Sequence, residues 1–321
     1  MIKPQTLKGF RDFLPSEARK RQYVINILKN VFESYGFEPL ETPALEYEEI
    51  LLGKYGEEGD KLMYRFTDRG GRKVALRYDQ TVPLARVVAQ YQNELPMPFK
   101  RYQIQNVWRA DNTQRGRFRE FLQCDIDIVG QDSQAADAEI IVIAEKSLEK
   151  LGFKGFKIRV GDRKLFKGIP PSTITIIDKL KKIGEKKVIA ELKTKGFDKK
   201  ILDKIKDSKP SKDLELILGI AQEAGVAKNV YFDPTLARGL NYYTGMILEA
   251  EIEGFDAGSV AGGGRYDNLI GLFAKKPIPA VGFAFGFDRL IEAMDELKLF
   301  PKDLITTKVL VTVFSPKLLE K

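Results

Sequence analysis

FKRYQIQNVWRADNTQRGRFREFLQCDIDIVG, residues 99–130, is the most informative segment of this chain. Residues 101–107 predict one strand, 111–116 a turn and 118–129 a second strand. In the second strand, alternation of period two separates an apolar face from a polar face. The apolar face carries Leu122, Cys124, Ile126 and Ile128, and the polar face carries Phe121, Gln123, Asp125 and Asp127. The stretch therefore predicts an antiparallel hairpin with one face available for polar chemistry.

The turn of this hairpin is rich in arginine. Arg109, Arg115, Arg117 and Arg119 lie in the loop or at its edges, close in sequence to the carboxylates of the second strand. A guanidinium group can donate two parallel hydrogen bonds to the oxygens of one phosphate or carboxylate, whereas carboxylates bind ammonium groups. The pattern suits an anionic phosphate next to a cationic amine. The spacing alone is equally consistent with an antiparallel pair whose polar face is solvated.

The composition is typical of a soluble globular protein. Its 321 residues leave room for one large domain and one or two small ones, and the 43% hydrophobic content is enough for a sizeable core. The single cysteine, Cys124, allows no intramolecular disulfide, and its position on an apolar face favours packing. Because no membrane-span or signal-peptide segment is visible, we expect a cytoplasmic protein with no membrane partner.

The chain contains no histidine, and this excludes several kinds of catalytic site. A Ser-His-Asp triad, a Cys-His pair and an imidazole base are all impossible. With one cysteine and no histidine, a structural zinc site is also implausible. The chemistry must use arginines, carboxylates and tyrosines, together with Mg²⁺ where a metal is needed. A reaction that depends on positioning and charge stabilisation fits best.

Positive charge is concentrated in residues 164–212. This segment holds 15 lysines, no arginine and six acidic residues, a net charge of +9, whereas the whole chain carries +8. Helices are predicted over 172–183, 185–195 and 199–208, each with one apolar face. A lysine-rich helical module can bind a phosphate backbone, although lysines also form the solvated side of ordinary helices.

The remaining segments predict an α+β body. Residues 68–71 read as the turn of a hairpin between two short strands. Helices are predicted over 17–35, 81–92, 135–151 and 286–297, and further strands at 37–40, 157–160, 229–232, 245–252, 257–260 and 281–285. Because strands follow one another without βαβ alternation, we expect an antiparallel sheet flanked by helices and not a Rossmann fold. No GxxxxGK[ST] loop is present.

Five segments, in order, resemble the class II aminoacyl-tRNA synthetases and in particular the histidyl-tRNA synthetase family. LKGFRDFLP with the following 17–43 helix and strand resembles the first class II motif, which builds a dimer interface. Residues 99–130 resemble the second motif, and GFAFGFDRL at 282–290 resembles the third. LARGLNYYTG at 236–245 and AGGGRYDNL at 261–269 resemble the two signatures of the histidine-specific family. The resemblance implies a class II synthetase-like antiparallel sheet with a small helical insertion domain.

The resemblance implies ATP-dependent activation of histidine. The histidine carboxylate attacks the α-phosphorus of ATP, pyrophosphate leaves, and a ribose hydroxyl of tRNA then accepts the histidyl group. Arg109 and Arg238 are implied to bind the α-phosphate and the carboxylate, and they are the expected catalytic residues. The other implied ATP-binding residues are Asp111, Arg117, Phe121 and Arg289, with the base stacked between Phe121 and Arg289. Mg²⁺ is expected with ATP, and the sequence does not identify its protein ligands.

The amino-acid pocket is implied to lie along the polar face of the second hairpin strand. Asp79 takes the position of an acidic residue that binds the α-ammonium, and Gln123 and Asp127 share the ammonium and the imidazole. The other expected histidine-binding residues are Thr81, Arg238, Tyr242, Tyr243, Gly263 and Tyr266. The tyrosines supply aromatic walls with hydroxyl groups, and the glycine run lets the backbone approach the ring.

The resemblance also divides the chain into domains. Residues 1–161 and 229–303 correspond to the catalytic core, and 162–228 to an insertion that contacts the acceptor arm of tRNA(His). Residues 304–321 resemble the start of an anticodon-binding domain and are expected to be a truncated one. The expected partners are L-histidine, tRNA(His) and a second copy of the chain in a homodimer. Two departures from the family pattern are Asn241 in place of aspartate and Asp111 in place of glutamate.

One alternative belongs to a different class of protein. A non-catalytic paralogue of these synthetases serves as the regulatory subunit of ATP phosphoribosyltransferase in histidine biosynthesis, and it lacks the anticodon-binding domain. The synthetase is favoured because its expected ligand-binding residues are present: Asp79, Arg109, Gln123, Arg238 and Arg289. A bare RNA-binding module would leave the polar pocket unexplained.

Overall fold

The computed structural model describes residues 2–54, 56–226, 228–237, 242–304, 309, 311–312 and 314–315, with the backbone alone at 56–58. Arg238 and Asn241 therefore lie outside the described residues, as does most of the expected truncated domain. In the part of the chain that is described, two sheets pack against helices. The expected α+β fold class is confirmed.

A large sheet and a small sheet contain the strands of the described residues. The strands are β1 (Glu38–Pro39), β2 (Leu45–Tyr47), β3 (Arg65–Thr67), β4 (Lys73–Leu76), β5 (Phe99–Trp108), β6 (Glu120–Val129), β7 (Phe156–Asp162), β8 (Val230–Phe232), β9 (Met246–Ile252), β10 (Ala261–Arg265) and β11 (Ala280–Gly286). The large sheet has the order β1-β5-β6-β11-β10-β9-β7-β8, and the small sheet β2-β4-β3. Pairs in the large sheet are antiparallel, except for β1 with β5 and β7 with β8. The hairpin predicted for residues 99–130 is thus confirmed as β5 and β6.

Helices cover the large sheet and connect its strands. They are α1 (Pro15–Ser34), α2 (Glu48–Leu51), α3 (Gly56–Lys61), α4 (Thr81–Gln90), α5 (Gln134–Lys150), α6 (Pro171–Asp178), α7 (Leu180–Ile183), α8 (Glu185–Thr194), α9 (Lys200–Lys206), α10 (Lys212–Glu223) and α11 (Phe287–Glu296). Short 3₁₀ turns lie at Arg163–Phe166 and Ile270–Leu272. None of the helices that the structure describes is long and apolar enough to cross a membrane.

The main hydrophobic core lies between the apolar face of β6 and the helices that cover it. Cys124, Ile126 and Ile128 have at most 1% of their surface exposed, and they pack in one cluster with side chains of α1, α5 and α11. Burial of these side chains removes apolar surface from water, which is the main stabilising contribution to such a sheet and helix layer. The opposite face of β6 is left for polar side chains.

Two sequence predictions, one for a strand and one for a helix, need correction. The strand predicted at 257–260 is wrong, because Gly258 adopts a positive φ of 90° and the chain turns there. The strand instead forms at Ala261–Arg265, in the glycine run that follows. The helix predicted over 172–183 is also wrong as a single element, because it is divided into α6 and α7 at Lys179.

The lysine-rich segment has a small apolar core of its own. Side chains of α6, α8 and α9 form a separate buried cluster, which includes Ile177, Val188 and Leu202. Helix α10, which the sequence analysis did not predict, follows this segment and buries Leu214 and Ile217 in the main core. The module with its own core is therefore formed by α6 to α9, whereas α10 packs with the body of the protein.

We predict that a buried ion pair between β10 and α5 contributes strongly to stability. The Arg265 Nε donates to both carboxylate oxygens of Asp137, at 3.1 and 3.0 Å, and Asp137 is only 2% exposed. Asp137→Asn should lower the free energy of unfolding by about 3 kcal/mol, because it leaves a buried guanidinium without its main counter-ion. Asp267, 3.2 Å from Arg265, offsets part of the loss. Denaturant unfolding measures the change.

The matched control lies on the same helix. Lys146 and Glu149 form a solvent-exposed pair at 2.9 Å, and exposed pairs contribute at most about 1 kcal/mol. Glu149→Gln should therefore leave the free energy of unfolding nearly unchanged. An equal effect of the two substitutions would contradict the special importance of the buried pair.

Candidate active site

The polar face of β6 forms the floor of two adjoining cavities. Phe121, Gln123, Asp125 and Asp127 all line one or the other cavity, as the alternation predicted. Gln123 lines both of them, so the two cavities meet along this strand. Strands β5 and β11 flank β6 on either side and hold its side chains in register.

The smaller cavity has a volume of about 180 Å³ and a mostly polar lining. It brings together seven residues that the sequence analysis assigned to a histidine pocket: Asp79, Thr81, Gln123, Asp127, Tyr242, Tyr243 and Tyr266. Asp79 precedes α4, and its Oδ1 accepts a hydrogen bond from the backbone N–H of Val82 at 3.1 Å. Residues from four separate segments therefore converge on one space.

Asp127 is held by two partners, one on each of its oxygens. Its Oδ2 lies 2.7 Å from Nη2 of Arg101, in an ion pair whose side chains are 0% and 5% exposed. Its Oδ1 accepts a short hydrogen bond from the hydroxyl of Tyr266. Burial raises the pKa of Asp127 above its ordinary value of 3.8, while the Arg101 charge and the Tyr266 hydrogen bond oppose that rise.

Asp125 is a third carboxylate in this cavity, next to Gln123. The amide Nε2 of Gln123 donates to Asp125 Oδ1 at 3.3 Å. Burial is the largest cause that raises the pKa of Asp125 well above its ordinary value, and the nearby charges of Asp127 and Asp79 add to the rise. The cavity floor is therefore an electronegative region in which a cationic group would replace the lost solvation of the carboxylates.

Three tyrosines form the aromatic wall of the smaller cavity. The rings of Tyr242 and Tyr243 lie 4.8 Å apart, and those of Tyr242 and Tyr266 lie 5.8 Å apart in an edge-to-face arrangement. Burial raises the pKa of both Tyr242 and Tyr266 well above 10.0, so each hydroxyl keeps its proton at neutral pH. Their hydroxyl groups can therefore act as hydrogen-bond donors or acceptors.

Glycines on β10 and β11 allow the strands to approach the carboxylates closely. A Cβ atom at Gly282 would lie 2.1 Å from Oδ1 of Asp127, so this carboxylate fits only because Gly282 has no side chain. A Cβ atom at Gly263 would lie 2.1 Å from the carbonyl oxygen of Gly282. Gly263, expected to line the pocket, thus lies against β11, and its neighbour Gly262 lines both cavities.

The larger cavity, about 630 Å³, is lined by all the described residues that the sequence analysis assigned to ATP: Arg109, Asp111, Arg117, Phe121 and Arg289. The Arg109 Nε donates to the carbonyl oxygen of Tyr78 at 3.0 Å, and its guanidinium lies 5.1 Å from the centre of the Phe121 ring. Arg289 also lines this cavity, and its Nη1 donates to the Ser259 carbonyl at 2.7 Å. The cavity is thus bordered by cationic side chains that are fixed by backbone contacts.

The loop between β5 and β6 is fastened to α11. Arg115 forms an ion pair with Glu292 at 2.6 Å and a second, short one with Glu296. Gly116 adopts a positive φ of 66°, and a Cβ atom there would lie 3.2 Å from Cγ of Arg289. Arg115, one of the four loop arginines, therefore anchors the loop, whereas Arg109 and Arg117 line the cavity.

No group of three or more Asp, Glu or Cys side chains among the described residues is arranged to hold a metal ion. The acidic residues that line the larger cavity are Asp111, Asp178, Glu249 and Asp288. Asp288 is engaged by Arg21 at 2.6 Å and Arg11 at 2.9 Å. The described part of the site therefore lacks a protein cage for a resident metal.

The structure adds residues that sequence reasoning did not assign to the site. Arg101 and Asp125 both belong to the buried charge cluster, and Tyr78 lines both cavities. The register of the hairpin could have indicated Arg101, because it places Arg101 directly opposite Asp127. Asp125 could have been found by the same alternation that identified Gln123 and Asp127. Arg238, the second expected catalytic residue, lies outside the described residues.

Comparisons with known proteins agree with one another. The family model described as Histidyl-tRNA synthetase matches residues 9–201 and 167–290. The histidine–tRNA ligase of Aeropyrum pernix is 44% identical over 347 residues, 97% of this chain and 79% of the relative. A crystal structure of histidyl-tRNA synthetase from a Nostoc species has a TM-score of 0.82 at 35% identity, over 94% of this chain and 77% of that one.

A more distant structure shares the fold. It is named an ATP phosphoribosyltransferase regulatory subunit/histidyl-tRNA synthetase, from Bacillus halodurans, and has a TM-score of 0.75 at 23% identity. The match covers 91% of this chain and 84% of that one. At this identity the likeness concerns the fold alone, so the site residues must distinguish the two functions.

We predict that Asp125 makes the ligand-free protein less stable as the pH rises. Its pKa is higher in the folded state than the ordinary 3.8, so the native state binds more protons and loses stability as the carboxyl ionises. Asp125→Asn, which cannot ionise, should therefore become more stable relative to the unaltered chain between about pH 4 and pH 8. Denaturant unfolding across this range measures the difference.

The control for this measurement is Asp213→Asn. A hydrogen bond from Lys164 lowers the pKa of Asp213 in the folded state, so the unaltered carboxylate stabilises the protein once it is ionised. Between about pH 4 and pH 8, the stability of Asp213→Asn relative to the unaltered chain should thus stay nearly constant, because Asp213 is ionised in both the folded and the unfolded state there, whereas that of Asp125→Asn rises. The same pH dependence of relative stability in both variants would contradict the conclusion that burial raises the pKa of Asp125.

Proposed function

The chain belongs to the histidyl-tRNA synthetase family, and on that basis we propose that it is a histidine–tRNA ligase. It activates L-histidine with ATP to histidyl-adenylate and pyrophosphate, and then transfers the histidyl group to the 3′ end of tRNA(His). The observation that carries this proposal is the pair of adjoining cavities. One suits a small zwitterion with polar side-chain groups, and the other suits a nucleoside triphosphate.

The smaller cavity is the proposed histidine site. Asp79, with Gln123, binds the α-ammonium, because a buried carboxylate is a suitable counter-ion for that cation. The imidazole lies among the tyrosines and Asp127, whose hydrogen-bonding groups match its two ring nitrogens. An apolar amino acid of similar size would leave these buried polar groups unpaired, which explains how histidine is selected.

The activation step requires positioning more than acid–base chemistry. The histidine carboxylate is already ionised, and one of its oxygens forms a bond with the α-phosphorus as the bond to the pyrophosphate oxygen breaks. Arg109 lines both cavities and can bind the carboxylate and the α-phosphate together. Arg238 is proposed to share this task, and Arg117 to bind the β- or γ-phosphate. The adenine lies between Phe121 and Arg289, with Asp111 nearby.

Magnesium enters this proposal with ATP. Mg²⁺ in nucleotide sites commonly keeps most of its ligands as phosphate and water oxygens, with one or two protein carboxylates. This mode needs no cluster of three acidic side chains, and none occurs among the described residues. The chain's own cationic residues therefore supply the protein's charge stabilisation in the steps described above.

The helices α6 to α9 are the proposed surface for the acceptor arm of tRNA(His). This module, within the expected insertion 162–228, has its own core and exposes lysines that have no acidic partner within ion-pair distance among the described residues, such as Lys186, Lys187 and Lys193. Lysines of this kind bind phosphates without reading sequence.

We also propose that the chain works as a homodimer, since Tyr47 and Phe66 form an exposed apolar patch on the small sheet.

We predict histidine-dependent exchange between ATP and pyrophosphate. Exchange should occur with histidine and not with the other amino acids. Arg109→Ala and Arg238→Ala should each lower its rate by roughly 10²- to 10³-fold, by analogy with the loss of one preorganised donor to a developing anion. Arg69→Ala is the matched control, because Arg69 is exposed, lines neither cavity and forms no ion pair within the described residues.

The outcome of this assay distinguishes a histidine–tRNA ligase from a non-catalytic regulatory subunit. A rate of Arg109→Ala or Arg238→Ala close to that of the unaltered chain would remove the assigned role. Histidine binding in calorimetry without any exchange would favour the non-catalytic regulatory subunit, and the next step would be a search for a phosphoribosyltransferase partner.

A second prediction concerns the lysine-rich module. The triple substitution of Lys186, Lys187 and Lys193 by Gln should weaken tRNA(His) binding and reduce its salt dependence, by about one unit of log–log slope per lost phosphate contact. The matched control replaces three exposed lysines of the proposed catalytic core in the same way: Lys150, Lys154 and Lys276, which likewise form no ion pair within the described residues. Equal binding by both variants across salt concentrations would contradict an RNA surface on this module.

A further inference from the structure

A buried arginine lies behind the floor of the proposed histidine site. Arg101 on β5 is 0% exposed and lines neither cavity, so it has no direct access to a ligand there. It lies opposite Asp127 across the hairpin, and its Nη2 is 2.7 Å from Asp127 Oδ2. Asp127 is therefore the cavity-lining residue that Arg101 pairs with directly, and the Arg101 charge also opposes the burial that raises the pKa of the neighbouring Asp125.

Asp127 in turn fixes the direction of the Tyr266 hydroxyl. The Tyr266 O–H donates to Asp127 Oδ1, and both residues line the smaller cavity. A phenol has one proton to donate, and here the carboxylate takes it. The hydroxyl oxygen therefore presents only its lone pairs to the cavity, where it can accept a hydrogen bond from an N–H group.

We propose that Arg101 is a positioning residue for amino-acid selection: it holds Asp127 ionised and oriented, and so makes Tyr266 a hydrogen-bond acceptor for the side-chain N–H of the substrate. The inference rests on the proposed function, since histidine is the amino acid whose ring supplies that N–H. The pathway runs from Arg101 through Asp127 and Tyr266 to the ligand, and Arg101 is the member that does not line the cavity.

The position of Arg101 is itself fixed by a buried hydrogen-bond network. Its Nη1 donates to Gln103 Oε1 at 3.2 Å, and Gln103 Nε2 donates to Thr42 Oγ1 at 2.8 Å and to Gln105 Oε1 at 2.6 Å. Gln105 Oε1 also accepts from Arg77 at 3.0 Å. These contacts limit the rotamers of Arg101, which is what a positioning role requires.

Without Arg101, Asp127 would be left among other acids. The titratable and charged groups that face it are Arg101 on β5, Tyr266 after β10, Asp79 before α4 and Asp125 on its own strand. Arg109 lies in the same cavity and acts on Asp125, but Arg101 is the cation that pairs with Asp127. Loss of Arg101 would favour protonation of Asp127, since desolvation already raises its pKa. A protonated Asp127 can donate to Tyr266, which would then lose its fixed role as an acceptor.

The test compares Arg101→Met with Arg101→Lys and with the control Arg86→Met. Arg86 also forms a largely buried ion pair, with Glu46 at 2.6 Å, but it lines neither cavity. In the exchange reaction, Arg101→Met should raise the KM for histidine roughly 10- to 100-fold, as is typical when a residue that orients a ligand-binding side chain is removed. The KM for ATP should stay near its original value. Arg101→Lys, which keeps the charge, should restore part of the affinity.

The pH dependence separates positioning from a merely structural role. The ratio of the histidine KM of Arg101→Met to that of the unaltered chain should fall as the pH rises, because Asp127 regains its charge. The same ratio for Arg101→Lys should stay nearly constant. A ratio for Arg101→Met that is independent of pH, or parallel increases in both KM values, would overturn the proposal.

A double substitution tests whether Arg101 acts through Asp127. If it does, Arg101→Met should add little to the defect of Asp127→Asn, because the two residues form one unit. Multiplication of the two defects would overturn the proposal. So would a histidine KM for Arg101→Met equal to that of Arg86→Met.

Calorimetry distinguishes failure of this inference from failure of the proposed function. If the unaltered chain shows no exchange but binds histidine, the ligase function fails, and the same variants and pH series are compared by their Kd for histidine. If the unaltered chain does not bind histidine, both proposals are overturned. Thermal melting of each variant confirms that it is folded under the assay conditions.

Discussion

Strand β6 packs one of its faces against the hydrophobic core and lines the cavities with the other, and this double contact constrains the elements around it. Its apolar face, with Cys124 and Ile126, closes the main core against α1 and α5. Its other face places Asp125 and Asp127 in a cavity where water is largely excluded. Because side chains alternate strictly along a strand, a register shift of one residue would bury the acids in the core and expose the core side chains in the cavity. The hydrophobic burial that stabilises the sheet therefore also fixes the geometry of the site.

Close approach of the neighbouring strands makes this charged face possible. Gly282 on β11 leaves the space that the Asp127 carboxylate occupies, and Gly263 on β10 lets the backbone of that strand approach β11. Tyr266 follows β10 directly and so reaches the same carboxylate. A glycine run weakens an isolated strand, because glycine has much conformational freedom and no side chain to pack. Here its neighbours on both sides supply the hydrogen bonds that keep it extended.

Charge is distributed unevenly along the site, and the distribution matches the proposed substrates. Of the described residues, Arg109 is the one arginine among three carboxylates in the smaller cavity, and it lies at the junction with the larger one. The larger cavity adds Arg117 and Arg289 beside four acidic residues, of which Asp288 is already paired with Arg11 and Arg21. A zwitterionic amino acid placed across that junction would have its ammonium among the acids and its carboxylate beside Arg109. Arg101, beneath the acids, keeps the floor from being wholly anionic. Selection of the amino acid and orientation of its carboxylate therefore depend on one continuous electrostatic arrangement.

Local periodicity in the sequence is sufficient to predict the hairpin and most of the described helices, and motif resemblance indicates candidate residues for the site. Alternation in residues 118–129 is enough to divide β6 into its two faces. The features that depend on neighbours in space follow from tertiary packing. Strand β10 forms in a glycine run without strand propensity because β9 and β11 hold it, and α10 joins the main core beside α5. In the sequence, Arg101 does not differ from other charged strand residues. The cross-strand register places it opposite Asp127, and the ion pair follows from that pairing and not from the sequence of either strand alone.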